Sequence, residues 1–151
     1  MSSGSLTSES RIVAGVDGSP SSKVGLRWAL RQSRLTGATV DAVIAWQTPV
    51  VPMAYTVGPV LVEEEGDFEE AAAKTLESAI NDVAEPTDSP RVRAQVVRGN
   101  PALVLLDAAA GADLLVVGSR GHGVLASALL GSVSQHCVHH AHCPVLVVRD
   151  E

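Results

Sequence analysis

Gly118, Gly121, Gly131 and Ser132 follow the spacing G-x2-G-x9-G-S, with Ser134 two residues further on. Glycines let a backbone approach a ligand closely. Successive N–H groups in a glycine-rich run form a concavity that binds anions. A helix starting at Ser132 would add unpaired N–H groups and the positive end of its dipole. Ser132 and Ser134 add hydroxyls, and Arg120 adds a cation. Val117, Gly118, Arg120, Gly121, His122 and Gly123 on one side, with Gly131, Ser132, Val133 and Ser134 on the other, therefore read as a phosphate cradle built mostly from backbone. The plainer alternative is that these glycines only turn the chain and start a helix. His122 reads as facing solvent. No G-x-x-x-x-G-K-[ST] is present, and no G-x-G-x-x-G follows the first apolar run, which argues against a motor NTPase and a dehydrogenase.

A second constellation is Gly15-Val16-Asp17-Gly18-Ser19. Asp17 either holds a ribose hydroxyl or a phosphate-bound Mg²⁺, or caps the turn that follows it. Ala45 and Trp46 end another apolar run, where backbone N–H and C=O groups can read an adenine edge. A third cluster is Gln135–Cys143, with His136, His139, His140 and His142 beside Cys137 and Cys143. The i, i+3, i+4 spacing of three of these histidines is one that can ligate Zn²⁺. Histidines late in a helix also suit its dipole, and the expectation is that no metal site forms. The cysteines read as small apolar core residues.

These residues need a scaffold that gathers strand ends. RIVAGV (11–16), TVDAVIAW (39–46), 91–97, ADLLVV (112–117) and PVLVVR (144–149) read as strands. Between them lie helical segments. The first runs from Pro20, capped by Ser19, to Thr36, with Val24, Trp28, Arg31 and Leu35 on one face and Leu26, Ala29 and Leu30 nearby. The second is 67–83, with Phe68, Ala72, Leu76, Ala79, Ile80 and Val83 at helical spacing. The third is capped by Asn100 and ends at Gly111. The fourth is 132–141, with helical turns possible from Val124. The segment 85–90 breaks the second helix, and 47–66, with three prolines, reads as an irregular loop. Strands alternating with helices predict an α/β fold, a doubly wound five-stranded parallel sheet. Ligands on such sheets bind beyond the C-terminal strand ends, where strand order reverses. An order of 3-2-1-4-5 would set Asp17 and Gly118 side by side there.

The 151 residues are enough for one domain with its own core, expected over 11–151 behind a polar tail, Met1–Ser10. Hydrophobic residues make up 46% and aromatics 3%, so the core must be built from Val, Leu, Ile and Ala. The net charge of −6, without a basic stripe, excludes general nucleic-acid binding. The start lacks the basic and apolar runs of a signal peptide, and nothing approaches a membrane span. The expected compartment is the cytoplasm.

The chain resembles the universal stress protein family, in its ATP-binding branch. The resemblance rests on IVAGVDGS (12–19), RGNPA (98–102), ADLLVVGSRGHG (112–123) and LLGSVSQHCVHHAHCPVLVVR (129–149), and is weak only in the tail and 47–66. G-x2-G-x9-G-[ST] is that family's ATP signature, complete here. The resemblance implies a flavodoxin-like or Rossmann-like sandwich of order 3-2-1-4-5, with ATP and Mg²⁺ across strands one and four. Asp17 would lie near ribose and phosphates, and Ala45 would meet adenine through its backbone. Gly118, Gly121, Gly131, Ser132 and Val133 would wrap the ribose and phosphates. It further implies a homodimer paired through 144–149, a role in stress response, and hydrolysis that is absent or slow. A cyclic-AMP binder with the same pocket and a slow ATPase stand as alternatives.

Overall fold

Short runs of Val, Ile, Leu and Ala form the strands, and amphipathic segments between them form the helices. The computed structural model describes residues 10–48, 65–119 and 130–149. In chain order the elements are β1 (Arg11–Gly15), α1 (Pro20–Thr36), β2 (Thr39–Trp46), α2 (Glu65–Val83), a 3-10 turn (Pro86–Arg91), β3 (Val92–Arg98), α3 (Pro101–Ala108), β4 (Leu114–Gly118), α4 (Ser132–His140) and β5 (Val145–Val148). The strands form one parallel sheet in the expected order β3-β2-β1-β4-β5.

The two-residue period of a strand gives this sheet two cores. Ile12, Ala14, Val40, Ala42, Ile44 and Val116 face Leu26, Ala29 and Leu30 of α1 and Ala72, Leu76 and Ala79 of α2. Val13, Val43, Leu115 and Val117 face Val104 and Leu105 of α3 and Cys137 of α4. Helices cover both faces, which is why the strand runs are apolar almost throughout. Each fully buried Leu among these adds roughly 1.5–3 kcal/mol over its exposed state. Asp41 of β2 is the polar exception at 3% exposed. Arg93 Nε and Arg11 Nη1 donate to its two oxygens at 2.8 and 3.2 Å, offsetting the cost of a buried carboxylate.

Several boundaries differ from the sequence reading. The buried residues of α1 are Ser21, Ser22, Gly25, Leu26, Ala29, Leu30 and Ser33, whereas Trp28 and Leu35 are 40% and 76% exposed. Small residues let the helix lie close on β4, and Trp28 turns outward under the Arg31 guanidinium, 4.9 Å from its ring centre. The segment expected only to break the second helix folds as a 3-10 turn, because Asp88 ties it down. Its carboxylate accepts from the Glu85 N–H at 2.8 Å and from Arg34 at 3.0 and 2.7 Å. Arg91 closes that turn, so β3 begins at Val92. Helix α2 starts at Glu65, two residues before its expected start, and residues 49–64 of the expected loop lie outside the described residues. Ser10, assigned to the tail, is held: its carbonyl accepts from Thr39 N–H and its hydroxyl donates to Asp113, at 2.9 and 2.8 Å.

Candidate functional site

The chain turns from β1 into α1 through Val16–Ser19. Val16 N–H donates to Val43 O at 2.8 Å, extending the β1–β2 ladder by one residue. Asp17 Oδ1 accepts from Ser19 N–H at 2.8 Å, and Asp17 N–H donates to Ser22 Oγ at 3.3 Å. Gly18 occupies the left-handed region at φ 84°, where an L side chain would be strained. Ser19 caps α1 by accepting from Ser22 N–H at 3.2 Å. The turn-capping role read for Asp17 is therefore present. The same residue also lines a cavity.

At the end of β4 the chain is tied down twice. Ser119 N–H donates to Val148 O at 2.7 Å, and Gly131 N–H donates back to Ser119 O at 2.8 Å. Ser134 Oγ donates to Gly118 O at 2.8 Å. The first turn of α4 is thus stapled over the β4 terminus. The Ser134 hydroxyl, expected to serve a ligand, spends its proton on this staple. The N–H groups of the first turn have no partner within the helix, no acidic side chain lies in that turn, and the dipole is positive there.

Between these ends lies a cavity of about 260 Å³. Gly15, Val16 and Asp17 line it from β1, Ala45 from β2, and Val117 and Gly118 from β4. Ser132, Val133 and Ser134 line it from α4. Gly131 precedes them as the N-cap with φ −65°, a conformation that asks nothing special of glycine. Arg120, Gly121, His122 and Gly123 lie outside the described residues.

Sequence reasoning missed Ser22, Val43, Pro101 and Leu105, which also line the cavity. Val43 shares the face of Ala45 by strand alternation, a signal that was present. Pro101 and Leu105 come from α3, which starts three residues after β3 and so crosses the same sheet end. The Asn100 cap, accepting from Ala102 and Leu103 N–H at 3.0 and 3.3 Å, fixes that start.

The two glycines at the strand ends differ in what they make room for. A Cβ on Gly15 would meet Leu105 Cδ1 at 2.7 Å, on the cavity side. A Cβ on Gly118 would run into Ser21 Oγ, Ser22 N at 2.8 Å and Ser21 C at 2.9 Å, on the α1 side. The expected reason for Gly118, room for a phosphate, is therefore corrected: it makes room for a helix.

The cavity joins an apolar slot (Val43, Ala45, Pro101, Leu105) to a rim of hydroxyls, helix N–H groups and one carboxylate. A flat heteroaromatic base suits the first part and an anion the second. Asp17 is a carboxylate of the kind that, with phosphate oxygens, holds Mg²⁺. Among the described residues no three His, Cys, Asp or Glu side chains gather as a metal cage, and no helix is long and apolar enough to cross a membrane.

Comparison with known proteins agrees with this architecture. A universal stress protein of Thermus aquaticus is 38% identical over 91% of this chain and 97% of its own length. One from Mycolicibacterium smegmatis is 37% identical over 93% of this chain but 48% of its own length. The chain thus spans about half the length of the mycobacterial relatives it matches. A universal stress protein solved in complex with cAMP superposes with a TM-score of 0.70 at 25% identity, over 96% of this chain and all of that one. The sequence profile of the universal stress protein family matches residues 9–149, and the chain belongs to that family.

Proposed function

We propose that this chain is an adenine-nucleotide-binding module of stress response that binds ATP with Mg²⁺ and turns it over slowly or not at all. The observation that carries the reading is the cavity itself, an apolar slot that opens onto the N-terminus of α4. Adenine would enter between Ala45 and Leu105, with its edge read by the β2 backbone. The ribose would lie near Asp17, and the phosphates would run along Ser132 and Val133 towards Arg120, Gly121, His122 and Gly123. Asp17 would accept a ribose hydroxyl or hold Mg²⁺. No described residue on the wall is placed as a base for water beyond that one carboxylate, which supports binding without rapid hydrolysis. Strand β5, which among the described residues pairs with β4 alone, offers its outer edge for a homodimer through 144–149, since an apolar edge needs cover.

Cyclic AMP in the same slot is the second reading, favoured by the cAMP complex of the 25% identical neighbour. One experiment separates them. The protein is purified, heat-denatured, and the released nucleotide identified by chromatography and mass spectrometry, followed by titration of nucleotide-free protein. ATP near one per chain, with ATP·Mg²⁺ bound at least tenfold more tightly than cAMP, supports the proposal. A preference for cAMP moves the assignment to the messenger, and ADP produced in proportion to protein makes the chain an enzyme. Absence of any adenine-nucleotide binding overturns both readings.

A further inference from the structure

Helix α4 carries histidines that the nucleotide site does not use. His136, His139 and His140 are all exposed, as is His142 beyond the helix end. The ring centres of His136 and His140 stand 4.5 Å apart, with planes inclined at 38°. Those of His139 and His140 are 6.5 Å apart.

These separations can be compared with what a shared ion requires. An ion about 2.1 Å from one nitrogen of an imidazole stands roughly 3.2 Å from that ring's centre. Two such rings at a cis angle near 90°, as in tetragonal or octahedral sites, then have centres about 4.5 Å apart. A tetrahedral angle would set them about 5.2 Å apart, and even a trans pair reaches only about 6.4 Å. The His136–His140 pair has the cis separation as it stands. The His139–His140 pair is beyond the reach of a single ion without moving a ring.

We infer that His136 and His140 form a two-histidine site for a divalent transition metal of tetragonal preference, of the Ni²⁺ or Cu²⁺ type, on the exposed face of α4. Three further features support it. His140 is the last residue of the helix and His136 lies one turn before it, where the negative dipole end favours a cation. Exposure leaves the remaining coordination positions to water. His136 also borders a second cavity of about 370 Å³, walled by Asn100, Leu103 and Ser132, which leaves its ring open on that side. The expectation that the histidine cluster is metal-free rested on sequence context, whereas the ring separation is a property of the folded helix. The site stands apart from the nucleotide reading and does not need it.

The test is titration of untagged protein with Ni²⁺ alone, followed by calorimetry, for the wild type and four single variants. Melting curves verify that each variant is folded. The wild type is expected to bind one Ni²⁺ per chain. His136→Ala and His140→Ala each weaken that binding at least tenfold, while His139→Ala and His142→Ala leave it within twofold. Wild-type binding no tighter than that of the His136→Ala His140→Ala double variant overturns the proposal. So does an equal loss in all four single variants, which would mark a diffuse histidine cluster.

Discussion

The two ends of the sheet use polar groups in opposite ways. At the N-terminal end they are spent on one another. Arg11 donates to Asp41 and to the Ala108 and Ala110 carbonyls, the latter two at 2.7 Å. Arg93 completes Asp41, and Asp113 accepts from the Ser10 hydroxyl and the Arg11 N–H. Charge is neutralised locally there. At the C-terminal end the strand ends border a cavity instead. Among the described residues that line it, Asp17 is the one ionisable residue, and the rest of the polar character comes from hydroxyls and helix N–H groups. The first arrangement closes the fold, and the second fits the nucleotide site proposed above.

Substitutions at the two ends should therefore separate stability from binding, with Gly118 as the instructive exception. Gly118→Ala places a methyl group into the Ser21–Ser22 backbone. Overpacking of this kind costs about 1–3 kcal/mol, which for a chain of this size lowers Tm by roughly 4–8 °C at the middle of that range. Thermal melts should show this as the largest effect of the series, even without nucleotide. An unchanged Tm would mean that α1 does not pack on β4 as described.

Ala45→Phe tests the opposite case. Its side chain extends into the apolar slot at a half-buried strand end. ATP affinity is expected to fall at least tenfold while Tm moves by no more than about 2 °C, which is about 0.5–1 kcal/mol of stability. Isothermal titration and melts on the same sample check both. Full affinity in the variant would place the base elsewhere and break the distinction between the two ends.

Legibility in the sequence follows the same division. The strands and the α4 side of the cavity could be read because their signals are local: apolar runs, and glycine and serine at a helix start; the strand order came from the family resemblance, not from any local signal. Pro101 and Leu105 could not, because their membership depends on where α3 crosses a sheet end, which is a tertiary fact. Ser22, Gly25 and Ser33 of the buried face of α1 went unread because they are small or polar rather than hydrophobic. A pattern weighted by hydrophobicity chose Trp28 and Leu35 instead. Gly118 was singled out as a phosphate contact, whereas the atoms that a Cβ there would meet belong to a helix distant in the chain.

The paired end should also fail first in acid. Hydrogen bonds from Arg34 hold the Asp88 carboxyl below the usual carboxylate range, reinforced by the Glu85 N–H and Arg91. The Ser10 hydroxyl and the Arg11 N–H do the same for Asp113. A depressed carboxylate adds stability that is present above its unfolded value, near 3.9, and is lost as pH falls through the folded value. Tm is therefore expected to hold from pH 7 to about 5 and to decline below about 4. Asp88→Asn should lower Tm at pH 7 and flatten part of that decline. Parallel curves for variant and wild type would remove Asp88 from the account.

The smallest effect expected is chemical rather than thermodynamic, and it tests the floor of the binding end. Cys137 is fully buried among Leu105, Val117 and Val133, the last three also lining the cavity. Burial pushes its thiol up to about 11, so little thiolate exists at pH 8 and the reactive form is scarce. The Cys143 thiol is also raised by burial but is only half-buried. Iodoacetamide at pH 8 should modify Cys143 first and reach Cys137 only when the chain opens, as mass spectrometry of timed samples would show. If nucleotide occupies the cavity above it, Cys137 labelling should slow further while Cys143 labelling stays unchanged. Early modification of Cys137 in the native protein would mean that the cavity floor is open, and that the binding end is less firmly built than the end stitched by its ion pairs.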